Sequence, residues 1–216
     1  MIAETFPVGS LACNCTVLGD ERTREAVVID GGDGVADVLE CLHRHNLHAE
    51  LLIHTHAHID HIGDVGRLRA QTGARALLHR ADVPLYRSLA SQAQYIGAIG
   101  PVPPVVTLDG ELRDGERLSL GEIDLAVIHT PGHTLGSVCF ALQENGGSRL
   151  FTGDTLFAGS IGRWDLGGTS MEDIVRSIRA KLLPFADDTP VVPGHGPMTT
   201  IGIERRSNPY LLSSRA

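Results

Sequence analysis

Long apolar runs are missing from this 216-residue chain: none approaches the ~20 residues needed to span a bilayer, so no membrane span is expected. The amino-terminal stretch MIAETFPVGSLACNC lacks a basic segment followed by an apolar core. No secretory signal is expected, and a cytoplasmic location is the expectation that follows. Cysteine is scarce too. Cys13, Cys15, Cys41 and Cys139 form no CxxC pair, which argues against a zinc knuckle or a thioredoxin-type redox site. They are expected to be buried thiols. Cationic residues number 18 against 26 acidic ones, a net charge of −8. Such a surface repels phosphate backbones, so nucleic acid is not an expected partner. No low-complexity linker or solenoid repeat divides the chain, and residues 1–216 are expected to form a single domain. Aromatic residues are few: five Phe, three Tyr and one Trp. Against those nine stand eleven histidines. Histidine is the commonest metal ligand, so clustering is the first question.

The pattern of elements says where the histidines lie. Short β-branched segments at 14–18 and 26–30 read as strands, the second ended by the turn Gly31-Gly32-Asp33-Gly34. Val35, Val38, Leu39 and Leu42 keep helical spacing. The apolar run Leu51–Ile53 then leads straight into His54–His61. A helix is expected over 62–72, closed by Gly73, and a Gly/Pro-rich loop over 97–104. Strands are expected at 123–129, 137–142, 150–152 and 190–193, with Asn145-Gly146 turning between the second and third. A helix over 170–183 carries an apolar stripe, with Thr169 and Glu172 placed for a capping box. Strands in runs broken by a few helices predict sheets covered by helices.

Three imidazoles and a carboxylate fall within six positions, His56, His58, Asp60 and His61, in a loop from strand to helix. Strand-to-helix loops lie at carboxyl ends of strands, where ligand sites form. Crowding these groups without a cation would leave them uncompensated. One cation can take His56 and His58 while a second takes Asp60 and His61. Neither pair completes a tetrahedral shell, so further ligands are needed. Three candidates end expected strands beside small residues: His133 in PGHT, Asp154 in TGDT and His195 in PGHG. Asp154 suits a bridging role, having two acceptor oxygens. His54 and His129 point along strands toward the same region. His43, His45, His48 and His79 stand alone and are expected as core or solvated residues.

THAHIDH followed in order by PGHT, TGDT and PGHG resembles the metallo-β-lactamase superfamily across nearly the whole chain. The resemblance implies an α/β fold, a four-layer αββα sandwich with its metal site at one edge of the sheets. Within the superfamily, TGDTLFAGSIGRWD and the tail GHGPMTTIGIERRSNPYL are most similar to compact bacterial glyoxalase II-like hydrolases. By position, that resemblance gives His56, His58 and His133 to one metal and Asp60, His61 and His195 to the other, with Asp154 bridging. It implies two divalent ions, zinc first and iron or manganese as alternatives. It also places the basic Arg163 near the substrate, while Trp164 stands where a small hydroxyl residue is more usual. The best-known β-lactamase subclass has Cys at the position of Asp154 and is exported, so antibiotic hydrolysis is not expected. Full-length glyoxalase II enzymes carry a carboxyl-terminal helical domain that supplies much of the glutathione site. Here 21 residues follow His195, which points to a smaller thioester.

The expected function is binuclear metal-dependent hydrolysis of a 2-hydroxyacyl thioester such as lactoylglutathione, by metal-activated hydroxide attacking the carbonyl. Asp60 would orient the nucleophile as well as ligate, and the expected partner is a small-molecule thioester. Two alternatives are weighed. A mononuclear iron persulfide dioxygenase shares the Gly162-Arg163-Trp164-Asp165 element but uses two His and one Asp. A non-catalytic metal-binding protein would need a closed site, against which the glycine-flanked loops argue.

Overall fold

Apolar and β-branched segments separated by helices of 3.6-residue period give the first half of the chain its sheet. The computed structural model describes residues 1–97, 101–144, 146–165 and 169–212. The chain forms two compact units, residues 1–112 with 119–123 and residues 113–118 with 124–216. In the first, β1 (Ile2–Val8), β2 (Cys13–Gly19) and β3 (Glu25–Ile29) form an antiparallel meander. The helix α1 (Val35–Arg44) then returns the chain to β4 (His48–Ile53), parallel to β3. Helices α2 (Ile59–Ile62) and α3 (Val65–Thr72) lead to β5 (Arg75–His79). Next come α4 (Val83–Tyr86), α5 (Leu89–Tyr95) and the short edge strand β6 (Gly110–Leu112). The order is β1 to β6 in sequence, parallel from β3 onward.

Burial accounts for this. Val35, Val38, Cys41 and Leu42 form the buried stripe of α1, packed with Val17, Val28 and Leu52 of the sheet. Each large apolar side chain so buried contributes about 1.5–3 kcal/mol. The helix expected over 62–72 begins earlier and is broken: α2 starts at Ile59 and the chain re-enters a helix at Val65. Gly73 does end α3, in the left-handed conformation at φ +75°, where an L side chain is strained. Residues 98–100 of the loop expected over 97–104 lie outside the described residues.

The second sheet contains β7 (Arg117–Leu120), β8 (Ile123–His129), β9 (Val138–Glu144) and β10 (Gly147–Gly153). The hairpin of β11 (Leu156–Phe157) and β12 (Ser160–Ile161) follows, then α6 (Met171–Ser177), which continues into a π-helical turn over Ile178–Leu182. After these come β13 (Pro190–Pro193), β14 (Thr199–Thr200), α7 (Ile201–Ser207) and α8 (Pro209–Leu212). The sheet order is β14-β13-β10-β9-β8-β7. Strands β8, β9 and β10 alternate in direction, and β10 runs parallel to β13. Gly147 faces Glu144 across the β9–β10 ladder; Asn145 of the expected turn lies outside the described residues.

Of the stripe expected on α6 from Met171, Ile174, Val175, Ile178 and Leu182, the structure buries Ile174, Ile178 and Leu182 against Leu150, Val191 and Ile201, half-buries Val175, and leaves Met171, on the first turn, exposed. Its cap is one residue later than the sequence suggested. Ser170, not Thr169, is the N-cap: its hydroxyl accepts from the Asp173 amide at 3.1 Å and donates to the Asp173 carboxylate at 2.7 Å. Thr169 instead donates to the carbonyl of Trp164 at 3.0 Å, so its hydroxyl serves the preceding loop. No helix among the described residues is long and apolar enough to cross a membrane. The four cysteines are all buried, and none forms a disulfide.

Candidate metal centre

Three adjacent parallel strands end beside one another in the first unit, and their carboxyl ends carry the polar residues. Ile29 of β3 pairs with Ile53 of β4, which sets Asp30 next to the loop that β4 delivers. The Asp30 carboxylate, 2% exposed, accepts from the Thr55 amide at 2.7 Å, the Thr55 hydroxyl at 2.6 Å and His61 Nδ1 at 3.0 Å. Thr55 has spent its only proton there. Its oxygen, 3.1 Å from His56 Nδ1, can therefore only accept, and Nδ1 of that ring must donate. Neutral His56 and His61 are thus fixed in the tautomer that leaves the lone pair on Nε2. The two rings lie 4.0 Å apart, His56 Nε2 is 3.0 Å from His58 Nδ1, and His61 Nε2 is 3.6 Å from Asp60 Oδ2.

The loop is held from other sides as well. Asp82, beyond β5 and buried, accepts from the Ala57 amide at 3.0 Å. Gln92 of α5 accepts from the Ile59 amide and donates to the Ala57 carbonyl. His54 Nδ1 and the Gly32 amide both donate to the His61 carbonyl at 3.0 Å. Burial pushes His54 down to about 4, so at neutral pH it is an uncharged donor. Cys13 lies 3.5 Å from His61 Nδ1, and burial pushes its thiol up to about 11. Asp60 borders a cleft of about 860 Å³ in this unit, with Leu11, Ile59, Ile96, Val102 and Arg67 among its walls.

The second unit repeats the arrangement with different elements. Asp154 follows β10, and His195 follows β13, the parallel neighbour of β10. The Gly194 amide donates to the Gly153 carbonyl at 2.8 Å, which ties the two strand ends together. His133 lies in the loop after β8, which runs in the same direction as β10. Its Nδ1 donates to the Arg163 carbonyl at 2.7 Å, so the lone pair again rests on Nε2. That Nε2 is 3.6 Å from one Asp154 oxygen, and His195 Nε2 is 3.7 Å from the other. Gly162 makes the close approach possible: a Cβ there would sit 1.7 Å from the Asp154 carbonyl oxygen.

Ring nitrogens and carboxylate oxygens at 3.6–3.7 Å stand beyond direct hydrogen-bond distance, a spacing that a cation between them would suit. Imidazole and carboxylate together suit zinc, iron and manganese. The donor sets of both units therefore fit divalent cations.

The profile of the Metallo-beta-lactamase superfamily matches residues 8–195. The chain belongs to the metallo-beta-lactamase superfamily. Its fold is the metallo-β-lactamase fold, the α/β class that the motifs implied, and it is a hydrolase-like enzyme of a divalent-metal-binding superfamily. It is 36% identical to the hydroxyacylglutathione hydrolase GloC of Haemophilus influenzae, over 99% of both chains. Among solved structures it is similar to the B3 metallo-beta-lactamase BLEG-1, with 35% identity and a TM-score of 0.88. That alignment covers 98% of this chain and all of the other. It is also similar to TTHA1623 in a di-iron-bound form, with 34% identity, a TM-score of 0.83 and the same coverage.

Within the first unit the structure brings together His56, His58, Asp60 and His61; within the second, His133, Asp154 and His195. The Arg163 guanidinium lies on the Asp165 carboxylate at 2.9 and 3.0 Å, both side chains more than half exposed. Its main-chain carbonyl has the clearer task, holding His133. Asp30, Asp82 and Gln92 were not singled out in the sequence. Asp30 before a Gly-Gly turn reads as a turn residue, and Asp82 ahead of Val-Pro reads as a helix start. Their one signal was position: Asp30 closes an apolar run, as Asp154 does.

Proposed function

We propose that His56, His58, Asp60 and His61 combine with His133, Asp154 and His195 to hold two divalent cations, and that the protein hydrolyses a 2-hydroxyacyl thioester. The observation that carries this reading is the commitment of Nδ1 in His56, His61 and His133 to protein acceptors, which presents Nε2 as a ligand in both units. Bound cations at such a site acidify water near neutral pH and polarise the substrate carbonyl.

The protein's own groups do the rest. Asp30 and the Arg163 carbonyl hold their imidazoles in the ligating tautomer through the reaction. Asp60, at the edge of the cleft, ligates and orients the attacking water. The apolar wall of Leu11, Ile59, Ile96 and Val102 takes the alkyl parts of the substrate and excludes water from the carbonyl. The leaving thiol has a pKa of about 8.5, so a thiolate departs without a strong general acid. An amide needs its nitrogen protonated, so the thioester suits this constellation better. GloC, of the same span, is named for a glutathione thioester, which supports including that carrier.

The test is a substrate panel on metal-loaded protein: lactoylglutathione, a smaller 2-hydroxyacyl thioester, a β-lactam, and glutathione persulfide with oxygen uptake recorded. Thioester cleavage abolished by chelator and restored by zinc or iron is the expected outcome. Oxygen uptake with the persulfide, or β-lactam opening without thioester cleavage, would overturn it.

A further inference from the structure

Away from the loop at His54–His61, a second group of ligating side chains lies where α1 crosses β1. Cys41 and His45 are one helical turn apart, so they share a face of α1 and its carboxyl end. Glu4 reaches them from β1, the edge strand of the first sheet. One donor atom from each of Glu4, Cys41 and His45 lies within 4.8 Å of the other two. His45 Nε2 is 2.7 Å from Glu4 Oε2, while Arg44 Nη2 holds Glu4 Oε1 at 2.5 Å.

We propose that Glu4, Cys41 and His45 form a separate zinc-binding site that clamps β1 to the end of α1. Ligand atoms on a tetrahedral zinc stand about 3.3–3.7 Å apart, given bonds of about 2.0–2.3 Å. Small side-chain rotations close the observed triangle to that size. The donor set selects the cation: a thiolate with an imidazole suits zinc and disfavours the hard ions magnesium and calcium. Arg44 holds Glu4 Oε1 and also hydrogen-bonds the Cys41 thiol, so zinc replaces it at the sulfur, while Oε2 is left to the metal and the guanidinium on Oε1 offsets part of the charge of the ligand pair. The carboxyl end of α1, with its outward carbonyls, also favours a cation. Glu4 and His45 side chains are 34% and 29% exposed, so the fourth position opens to solvent and takes water.

The proton balance is simple. The Cys41 thiol, raised above its ordinary range mainly by burial, gives its proton to solvent when zinc binds. His45, now donating from Nε2 to Glu4, carries its ring proton on Nδ1 instead and coordinates through Nε2. No oxidant or reductant is involved. The result is a bond between an edge strand and the helix that covers it, made by residues that the hydrolytic reading leaves unused.

The test is zinc and cobalt titration of metal-free protein, comparing wild type with Glu4→Gln, His45→Gln and Cys41→Ser. Wild type should bind one more equivalent of zinc than any variant. Loss of a ligand should weaken this equivalent by at least the roughly tenfold that loss of an outer partner costs. Cobalt should give a thiolate charge-transfer band in wild type that is absent in Cys41→Ser. Hydrolysis should be unchanged in all three, so failure here leaves the hydrolytic reading standing. Should the buried Cys41→Ser protein not fold, the two half-exposed variants carry the comparison. Equal zinc content in wild type and those variants, or no thiolate band in wild-type cobalt protein, would overturn the proposal.

Discussion

Asp30 serves three donors with two oxygens, and it shows how much of this site depends on a carboxylate buried behind the histidine loop. Asp30→Ala leaves the Thr55 amide, the Thr55 hydroxyl and His61 Nδ1 without their acceptor in a buried place. The cost per orphaned donor is about 1–3 kcal/mol, so the sum should be visible as a large drop in the urea midpoint. Asp30→Asn keeps the shape but can oppose a donor with a donor. It should fold and yet bind metal about 10–100-fold more weakly, as read by competition with a chelator. At Gly162 the argument is steric. A Cβ 1.7 Å from the Asp154 carbonyl oxygen cannot be accommodated, so Gly162→Ala should lose most activity through displacement of Asp154 or His133. A fully active Gly162→Ala protein would contradict the close approach. Arg163→Ala tests the role that resemblance gave its side chain. Metal content should be unchanged, because the carbonyl on His133 remains, while KM for an anionic thioester should rise about tenfold if about 1.4 kcal/mol of contact is lost. An unchanged KM would leave Arg163 to its carbonyl and its ion pair with Asp165.

Helix α6 shows which parts of an element the sequence carries. Its stripe of Ile174, Ile178 and Leu182 is legible because burial of a helix face imposes the period. Its start is less so, since Thr169 and Ser170 are both good caps, and it is the Thr169 hydroxyl's bond to the Trp164 carbonyl that leaves the cap to Ser170. Ser170→Ala should cost about 1 kcal/mol, and Thr169→Ala less, by thermal melts of the two proteins. Strand β1 was not legible at all. Its burial alternates poorly and it contains Pro7, which is tolerated because β1 is an edge. The turn before β3 carries a pH dependence. Asp20 is held below its ordinary range by backbone amides, first Thr23, then Glu122, with Arg22 adding a third. A carboxylate lowered on folding stabilises above its unfolded pKa, and that stabilisation is lost as pH falls through its folded value. Wild type should therefore exceed Asp20→Asn in urea midpoint at pH 7, with the gap closing toward pH 3. A gap constant with pH would mean that Asp20 acts through shape alone.

Over the whole chain, two units each bring strand ends of common direction to a set of His and Asp side chains. The first unit supplies His56, His58, Asp60 and His61, and the second His133, Asp154 and His195. Crowding within six positions makes His56, His58, Asp60 and His61 stand out in the sequence, whereas His133, Asp154 and above all the glycine-flanked His195 stand out mainly through the resemblance of their motifs. The supporting residues stayed hidden because their partners are far away: Asp30 meets His61 across 31 positions, and His133 meets Arg163 across 30. Nothing local marks such pairs. The proposed binuclear site is decided by metal positions. Anomalous diffraction from metal-loaded crystals should show two ions about 3.5–4 Å apart, each with ligands from both sets and Asp154 between them. A single ion, or ions held by one unit alone, would rule out the binuclear site.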